Sequence, residues 1–162
     1  MPARTLTALT VAFLVVIASG CTRTDAAPEV APAASSDPLP EITMYKSPTC
    51  GCCTAWGEYM EAEGFPVVMI DVPNIGEKRT ELGTPLMLGS CHTAVVEGYL
   101  VEGHVPADDV RRLLREKPDA LGIAVPGMPI GSPGMEVPGR APQAYETYLF
   151  TEAGQTTVFA RH

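Results

Sequence analysis

A chain of 162 residues has room for one ordinary domain once its ends are discounted. With 46% hydrophobic and 19% charged residues it can bury a core, which excludes global disorder. Its formal net charge of −8 would repel a phosphate backbone, which argues against nucleic acid as a partner.

Residues 1–20 have the layout of a secretory signal peptide, with a basic start, an apolar run from Val11 to Ile17 and small residues directly before Cys21. The apolar run is shorter than the roughly 20 residues of a membrane-spanning helix, which favours cleavage. Small residues followed by cysteine resemble the bacterial lipoprotein processing site, so Cys21 is the predicted lipidation site. Plain secretion with an incidental Cys21 is the alternative. By analogy with enteric bacteria, Thr22 after the cysteine indicates the outer membrane and hence the periplasm.

Residues 21–40 contain almost nothing large and apolar. We expect a lipidated, disordered tether here, because such a composition cannot offset the entropy lost on ordering. Residues 41–120 are predicted to form the folded domain, and residues 121–162 a C-terminal extension packed on it. We expect a monomer that meets the membrane only through its N-terminal lipid.

The first half of the folded domain predicts a strand, a helix and a second strand. Residues 42–45 alternate in character and precede a turn, which indicates a short strand. Helical spacing relates Cys52, Trp56, Tyr59, Met60 and Glu63, and Gly64 stands where a left-handed C-cap is needed. The continuous apolar run 66–71 predicts a fully buried strand. A strand-helix-strand unit of this length is parallel.

The second half predicts two strands and a helix, after a short exposed helix at 74–82. Residues 93–97 and 99–102 flank Gly98 and indicate a hairpin. Residues 106–117 place acidic side chains first and basic ones last, as suits the dipole of a helix. The order β-α-β and then β-β-α predicts an α/β fold with a thioredoxin-like sheet.

Residues 122–142, the Gly/Pro segment, contain five glycines and five prolines. This composition excludes a regular helix or a central strand. Residues 145–150 and 156–160 surround Gly154 and predict a terminal β-hairpin.

Four cysteines remain once Cys21 is assigned to the lipid. Cys50, Cys52 and Cys53 fall after the first strand, at the start of the first helix, where the dipole favours a thiolate. Cys91 precedes the third strand, and in a thioredoxin-like fold that segment lies against the start of the first helix. We therefore expect the four thiols to face one another.

Two chemistries compete for these thiols. Cys50 and Cys53 form a C-x-x-C pair where a thioredoxin-like enzyme of thiol-disulfide exchange would have its own. Cys52 argues against exchange because a third thiol would capture mixed disulfides, and Cys91-His92 stands where such enzymes have a proline. Four converging thiolates would instead need a cation, since each pair repels by roughly 4 kcal/mol at about 4 Å and an effective dielectric constant of about 20.

Copper is the predicted metal, as Cu(I) or Cu(II). Cu(I) is soft and singly charged, so several ions bridged by the sulfurs would accept unequal sulfur positions. A structural zinc ion suits the site less well, because the adjacent pair Cys52-Cys53 is difficult to direct at one tetrahedral ion. Two disulfides in an oxidising compartment would give a stapled adaptor and are the remaining alternative.

Four further residues are candidate ligands or support the ligands. His92 adjoins Cys91, with a surface loop position as the alternative, and His104 precedes the last helix, which it would otherwise cap. Met128 and Met135 lie in the Gly/Pro segment and carry thioethers, which bind Cu(I), although methionine also fills gaps in cores.

Residues 45–53, 90–106 and 122–135 resemble the CopG-like family, a domain of unknown function with a C-x-C-C motif found in periplasmic metal-binding proteins. The resemblance covers residues 41–162. It implies a thioredoxin-like domain with a C-terminal extension, and copper bound at the C-x-C-C motif together with Cys91. It also implies a role in copper resistance, either as a copper oxidoreductase or as a non-enzymatic binding protein. Copper ions and other periplasmic copper-handling proteins are the expected partners.

Overall fold

The computed structural model describes residues 38–162 as a seven-stranded sheet with three helices. The predicted signal peptide, Cys21 and most of the predicted tether lie outside the described residues. The elements in chain order are β1 (Ile42–Lys46), α1 (Gly51–Ala62), β2 (Val67–Asp71), α2 (Ile75–Leu82), a 3₁₀ turn (Leu86–Leu88), β3 (His92–Val96), β4 (Tyr99–Glu102), α3 (Ala107–Glu116), β5 (Gly122–Ala124), β6 (Glu146–Phe150) and β7 (Thr156–Arg161).

The sheet is mixed and has the strand order β2-β1-β3-β4-β5-β6-β7. β1 is parallel to β2, and β4 is parallel to β5, whereas the other neighbouring pairs are antiparallel. Lys46 at the end of β1 pairs with His92 at the start of β3. The residue before β3 therefore lies beside the loop that leads from β1 into α1.

Helices cover both faces of the sheet, because neighbouring strand residues alternate between two apolar clusters. The larger cluster joins α1 and α3 to the sheet and includes Trp56, Met60, Val101, Val110 and Leu113. The smaller cluster lies on the side of α2 and consists of Leu88, Leu100, Ala124 and Phe150, with Leu82 packed against it. Complete burial of a leucine side chain contributes about 1.5–3 kcal/mol. Among residues 38–162, no helix combines the length and the apolar character that crossing a membrane requires.

Most of the predicted elements are present, with their expected end signals. The side chain of Asn74 caps α2 and accepts from the N–H groups of Gly76 at 3.0 Å and Glu77 at 3.3 Å. The hairpin of β3 and β4 turns through Glu97 and Gly98, whose φ angles of 49° and 84° suit a two-residue type I′ turn. The terminal hairpin is formed by β6 and β7.

The prediction that residues 66–71 form a fully buried strand is wrong. β2 is an edge strand of the sheet, and only one of its faces packs against the core. Val68 and Ile70, on the other face, remain 41% and 37% exposed. A continuous apolar run does not distinguish a central strand from an edge strand, because both use β-branched residues.

The prediction that the Gly/Pro segment contains no central strand is wrong for its first three residues. These form β5, which is buried and pairs with β4 on one side and β6 on the other. The strand ends before Pro126, so no proline ring removes a hydrogen bond from the sheet. Gly122 is needed because a Cβ there would lie 2.0 Å from the carbonyl oxygen of Leu100. The extension therefore continues the sheet of the domain.

Candidate metal centre

Three of the predicted thiols lie at the start of α1. Cys50 is the residue before the helix and has an extended backbone, while Cys52 and Cys53 belong to the first turn. The side chain of Cys50 makes no capping hydrogen bond, and the sulfurs lie at the N-terminus of the helix, which is the positive end of its dipole. Cys53 is buried, whereas Cys50 and Cys52 are half-buried.

Cys91 brings the fourth sulfur to the same place, since it directly precedes β3. Its Sγ lies 3.8 Å from Cys52 Sγ, which in turn lies 3.6 Å from Cys50 Sγ. The sulfurs of Cys50, Cys52, Cys53 and Cys91 all lie within 4.8 Å of one another. The predicted convergence is therefore present, and binding of a metal by these sulfurs stays a prediction.

Two of the four cysteines are oxidised in this structure. Cys50 and Cys53 form a disulfide with their Cα atoms 5.3 Å apart, and Cys52 and Cys91 are free thiols. The alternative prediction was two disulfides, and among the described residues the structure contains one. A site of four thiolates requires reduction of this bond.

A buried ion pair that the sequence did not indicate holds the chain just before Cys91. Arg79 Nε donates to Glu102 Oε1 at 2.8 Å, and both side chains are almost completely buried. The same oxygen accepts from the N–H of Ser90 at 2.7 Å, and Arg79 also donates to the carbonyl oxygen of Ser90. Both polar backbone groups of Ser90 are thereby fixed. Arg79 also shows that α2, predicted as an exposed helix, has one buried face.

Two buried histidines lie beside Cys91 and form a second group of candidate ligands with it. The Sγ of Cys91 is 2.9 Å from His104 Nε2 and 3.5 Å from His92 Nδ1. His104 Nδ1 is 2.8 Å from the carbonyl oxygen of Pro133, which can only accept, so Nδ1 carries the proton and Nε2 presents a lone pair. His92 is therefore not in a surface loop. His104 does not cap α3, where Pro106 is the N-cap residue.

Burial sets the protonation of this group. It raises the pKa of Cys91 to about 12, together with the neighbouring Cys52. It lowers the pKa of His104 below the usual value and that of His92 well below it, so both imidazoles are neutral at pH 7. In the metal-free chain the Cys91 thiol therefore donates its proton to His104 Nε2. A metal ion would take the place of that proton.

The Gly/Pro segment forms one wall of the site. Pro133 holds His104, and the next residue, Gly134, lies against the start of α1. A Cβ at position 134 would lie 2.9 Å from the carbonyl oxygen of Cys52 and 2.8 Å from the backbone nitrogen of Trp56. Gly134 also has a φ of 80°, so both its conformation and its close approach favour glycine.

The two methionines predicted as further ligands lie in the same segment. Met128 has 53% of its surface exposed, and Met135 is half-buried. Gly127 donates its N–H to the carbonyl oxygen of Gly89 at 3.3 Å and accepts from the Ser90 hydroxyl, so the segment is attached beside the residues that precede β3. Binding of copper by either thioether stays a prediction.

A separate polar cluster contains His162, for which the sequence indicated no role. His162 Nε2 lies 2.9 Å from Asp109 Oδ2, and the same oxygen accepts from Thr147 Oγ1 at 2.6 Å. The ring of Tyr145 stacks on His162 with their centroids 4.7 Å apart. We name these four residues the Asp109 cluster. It attaches the last residue of the chain to α3.

The donor set around Cys91 suits a soft cation. It consists of thiol sulfurs and neutral imidazole nitrogens, half-buried or buried, which are the ligands that Cu(I) and zinc prefer. We name Cys50, Cys52, Cys53 and Cys91 with His92 and His104 the thiol cluster. These residues fit a bound copper ion, and the sulfurs would hold it.

Comparison with known proteins agrees with this chemistry. The family described as a protein of unknown function, DUF411, matches residues 88–135, and no curated protein matches the chain significantly. Two solved structures named copper resistance protein CopG, Form 1 and Form 2, are each 44% identical to this chain, with a TM-score of 0.72. The matches cover 78% of this chain and 98% and 99% of the two solved chains. This chain therefore belongs to the CopG-like family of copper resistance proteins.

Proposed function

We propose that this protein binds Cu(I) in the periplasm and thereby contributes to copper resistance. The observation that carries the proposal is the grouping of four sulfurs within 4.8 Å, from Cys50, Cys52, Cys53 and Cys91. The similar solved proteins are named for copper resistance, which supports copper as the metal. The cation would offset the repulsion of the thiolates, about 4 kcal/mol for each close pair at an effective dielectric constant of about 20.

We infer a multinuclear thiolate site in the reduced protein. Cys52 is the sulfur with close neighbours on two sides, Cys50 at 3.6 Å and Cys91 at 3.8 Å, which makes it the expected bridging ligand. Structural zinc takes four ligands around one ion, whereas thiolates readily bridge Cu(I) ions. Several monovalent ions also match a site that carries up to four negative charges. His104, Met128 and Met135 are candidate further ligands.

The assignment of a thioredoxin-like fold is also part of this proposal. In a thioredoxin-like arrangement, β1-α1-β2 and β3-β4-α3 share one sheet, and the strand order β2-β1-β3-β4 supports it. The position of Cys91, before β3 and next to the start of α1, supports it as well.

Export and lipid anchoring complete the proposal, with the outer membrane as the location. Cys21→Ser is expected to release the folded domain into the soluble periplasmic fraction, because the serine cannot be diacylated through a thioether. Cell fractionation followed by immunoblotting measures this release. Equal membrane retention of both forms would contradict lipidation.

A second function, thiol-disulfide exchange, is favoured by one observation. Cys50 and Cys53 form a disulfide at the start of a helix, where a lowered thiol pKa assists exchange. In this function Cys52 has no part, and its sulfur would compete for mixed disulfides. Cys52 is therefore an essential ligand if the protein binds copper, and a dispensable or interfering thiol if the protein exchanges disulfides.

The substitution Cys52→Ser separates the two functions. We expect the variant to lose bound Cu(I) and to lose its protection of cells against copper, and we expect the unmodified protein to be a poor catalyst of disulfide exchange. Copper analysis of anaerobically purified protein, growth at raised copper and an insulin-reduction assay measure the three properties. A variant that keeps its copper and its protection, beside a parent that exchanges disulfides rapidly, would replace copper binding by exchange as the function.

A further inference from the structure

Cys91 reaches the thiol cluster from outside the regular elements. Cys50, Cys52 and Cys53 lie at the start of α1, whose backbone hydrogen bonds fix their positions. Cys91 lies between the 3₁₀ turn and β3 and belongs to neither element. A ligand that must be ordered when the metal binds lowers the affinity, because the ordering entropy opposes binding. The place of the Cys91 sulfur therefore depends on what holds the residues on either side of it.

The residue before Cys91 is held by the buried ion pair of α2 and β4. Glu102 Oε1 accepts from the N–H of Ser90 at 2.7 Å and from Arg79 Nε at 2.8 Å. A second nitrogen of Arg79 donates to the carbonyl oxygen of Ser90. That carbonyl belongs to the planar peptide group that leads to Cys91. One ion pair thereby orients both peptide groups of the residue that precedes the ligand.

The residue after Cys91 is held by the same end of β4. The N–H of Gly103 donates to the carbonyl oxygen of His92 at 3.1 Å. Gly103 also lies against Ser90, since a Cβ at position 103 would be 2.6 Å from the Cβ of Ser90. With a φ of 74° as well, this position favours glycine. The backbone is therefore fixed on both sides of Cys91, and the ion pair supplies one of the two sides.

We propose that the buried pair of Arg79 and Glu102 positions Cys91 for copper. Burial removes the hydration of both charges, and their attraction often no more than offsets this loss, so apolar residues of similar size can stabilise a fold equally well. Apolar side chains cannot bond to the two backbone groups of Ser90. Glu102 Oε2 is also buried without a hydrogen-bond partner among the described residues, which a pair that served stability alone would not require. This inference rests on the proposed copper function and names residues that act through the backbone and not as ligands.

Replacement of both charges by apolar side chains separates positioning from stability. We expect Arg79→Met/Glu102→Leu, in the full protein, to unfold at a urea concentration no lower than that of the parent, and to bind Cu(I) about tenfold more weakly or worse. Anaerobic competition with a chromophoric Cu(I) chelator measures the affinity of the reduced proteins. The matched control is Lys78→Met/Glu81→Leu, which removes a 2.8 Å ion pair from the same helix. This control should bind Cu(I) as the parent does, because its pair does not bond to Ser90.

Amide hydrogen exchange of the metal-free proteins, followed by ¹⁵N NMR, measures the positioning itself. The Ser90 amide should exchange at least about tenfold faster in the apolar double variant than in the parent or the control, while the amides of β3 stay protected. Loss of protection confined to Ser90 distinguishes a freed backbone from a weaker fold. An unchanged exchange rate of Ser90 would overturn the inference.

The affinities decide between the inference and the copper function beneath it. A folded double variant that binds Cu(I) as tightly as the parent would overturn the inference and leave the copper function intact. If the double variant does not fold, Arg79→Lys decides, since it keeps the charge but has one nitrogen in place of the two that contact Glu102 and Ser90. A several-fold weaker affinity is then expected, and an unchanged one would overturn the inference. Absence of Cu(I) from the reduced parent would overturn the copper function itself.

Discussion

The thiol cluster and the Asp109 cluster each place a histidine within hydrogen-bond distance of a titratable side chain, but they differ in how fully their polar groups are paired. In the Asp109 cluster one carboxylate oxygen accepts from both Thr147 and His162. In the thiol cluster, His92 Nε2 is buried without a hydrogen-bond partner among the described residues. A cluster whose polar groups are all paired stabilises the fold, whereas a buried ring nitrogen without a partner is a candidate contact for an ion or another ligand.

The largest expected effect is on copper content, which a substitution in the thiol cluster should lower and a substitution in the Asp109 cluster should not. Cys91→Ser should remove most of the bound Cu(I), because the serine oxygen is a poor ligand for a soft ion. His162→Asn should leave the copper content unchanged, since His162 binds to Asp109 and not to the thiols. Copper and protein are measured together on anaerobically purified samples. Normal copper in the Cys91 variant would contradict either the four-sulfur site or the proposed thioredoxin-like topology.

The ion pair behind Cys91 should matter for stability. Glu102→Gln leaves the buried Arg79 without its counter-charge and is expected to lower the free energy of unfolding by about 3–5 kcal/mol. Lys78→Gln is the control, because Lys78 pairs with the exposed Glu81 and should cost about 1 kcal/mol or less. Urea denaturation of the metal-free proteins measures both. Equal effects would mean that the Ser90 backbone is held by other contacts.

The raised pKa of Cys91 predicts how fast this thiol reacts with an alkylating reagent in the metal-free protein. Its pKa of about 12, against an ordinary 9.0, makes the reactive thiolate roughly a thousandfold scarcer at pH 8. Alkylation of folded Cys91 should therefore be slow and should keep accelerating above pH 9, where the rate for the urea-unfolded chain levels off. Mass spectrometry of the alkylated peptide follows the rate. A folded chain with the pH profile of the unfolded one would contradict a buried, protonated thiol.

The smallest expected effect concerns the Asp109 cluster. Thr147→Val removes one hydrogen bond to Asp109 and keeps the shape of the side chain, so we expect a loss of about 1–2 kcal/mol of stability. Copper binding should not change. Thermal unfolding and copper titration are measured on the same preparation. A fall in copper affinity would show that the two clusters are coupled.

The local sequence pattern predicted the helices and strands more accurately than it predicted how deeply each of them is buried. Helix α1 was predicted from the spacing of its residues, the turn from Gly98, and α3 from its acidic start and basic end. These features depend on backbone and dipole chemistry, which can be read directly from the sequence. The exposure of Val68 and the burial of β5 depend on which strands are neighbours, and neighbours are set by tertiary packing.

The same division applies to the site. The four cysteines were predicted because their number and spacing are visible in the chain, and the fold argument placed Cys91 correctly beside Cys52. The Arg79–Glu102 pair was missed, because an arginine on a polar helix and a glutamate at a strand end look like ordinary surface residues. The carbonyl of Pro133 was also missed, since backbone groups carry no sequence signal.

The most direct test of the account is copper K-edge X-ray absorption on the reduced, anaerobically copper-loaded protein. The account predicts Cu(I) with a first shell dominated by sulfur and a copper–copper distance from neighbouring ions, both diminished in Cys52→Ser. A first shell of nitrogen and oxygen alone, or zinc in place of copper in protein purified from copper-supplied cells, would contradict the claim that the thiol cluster binds copper.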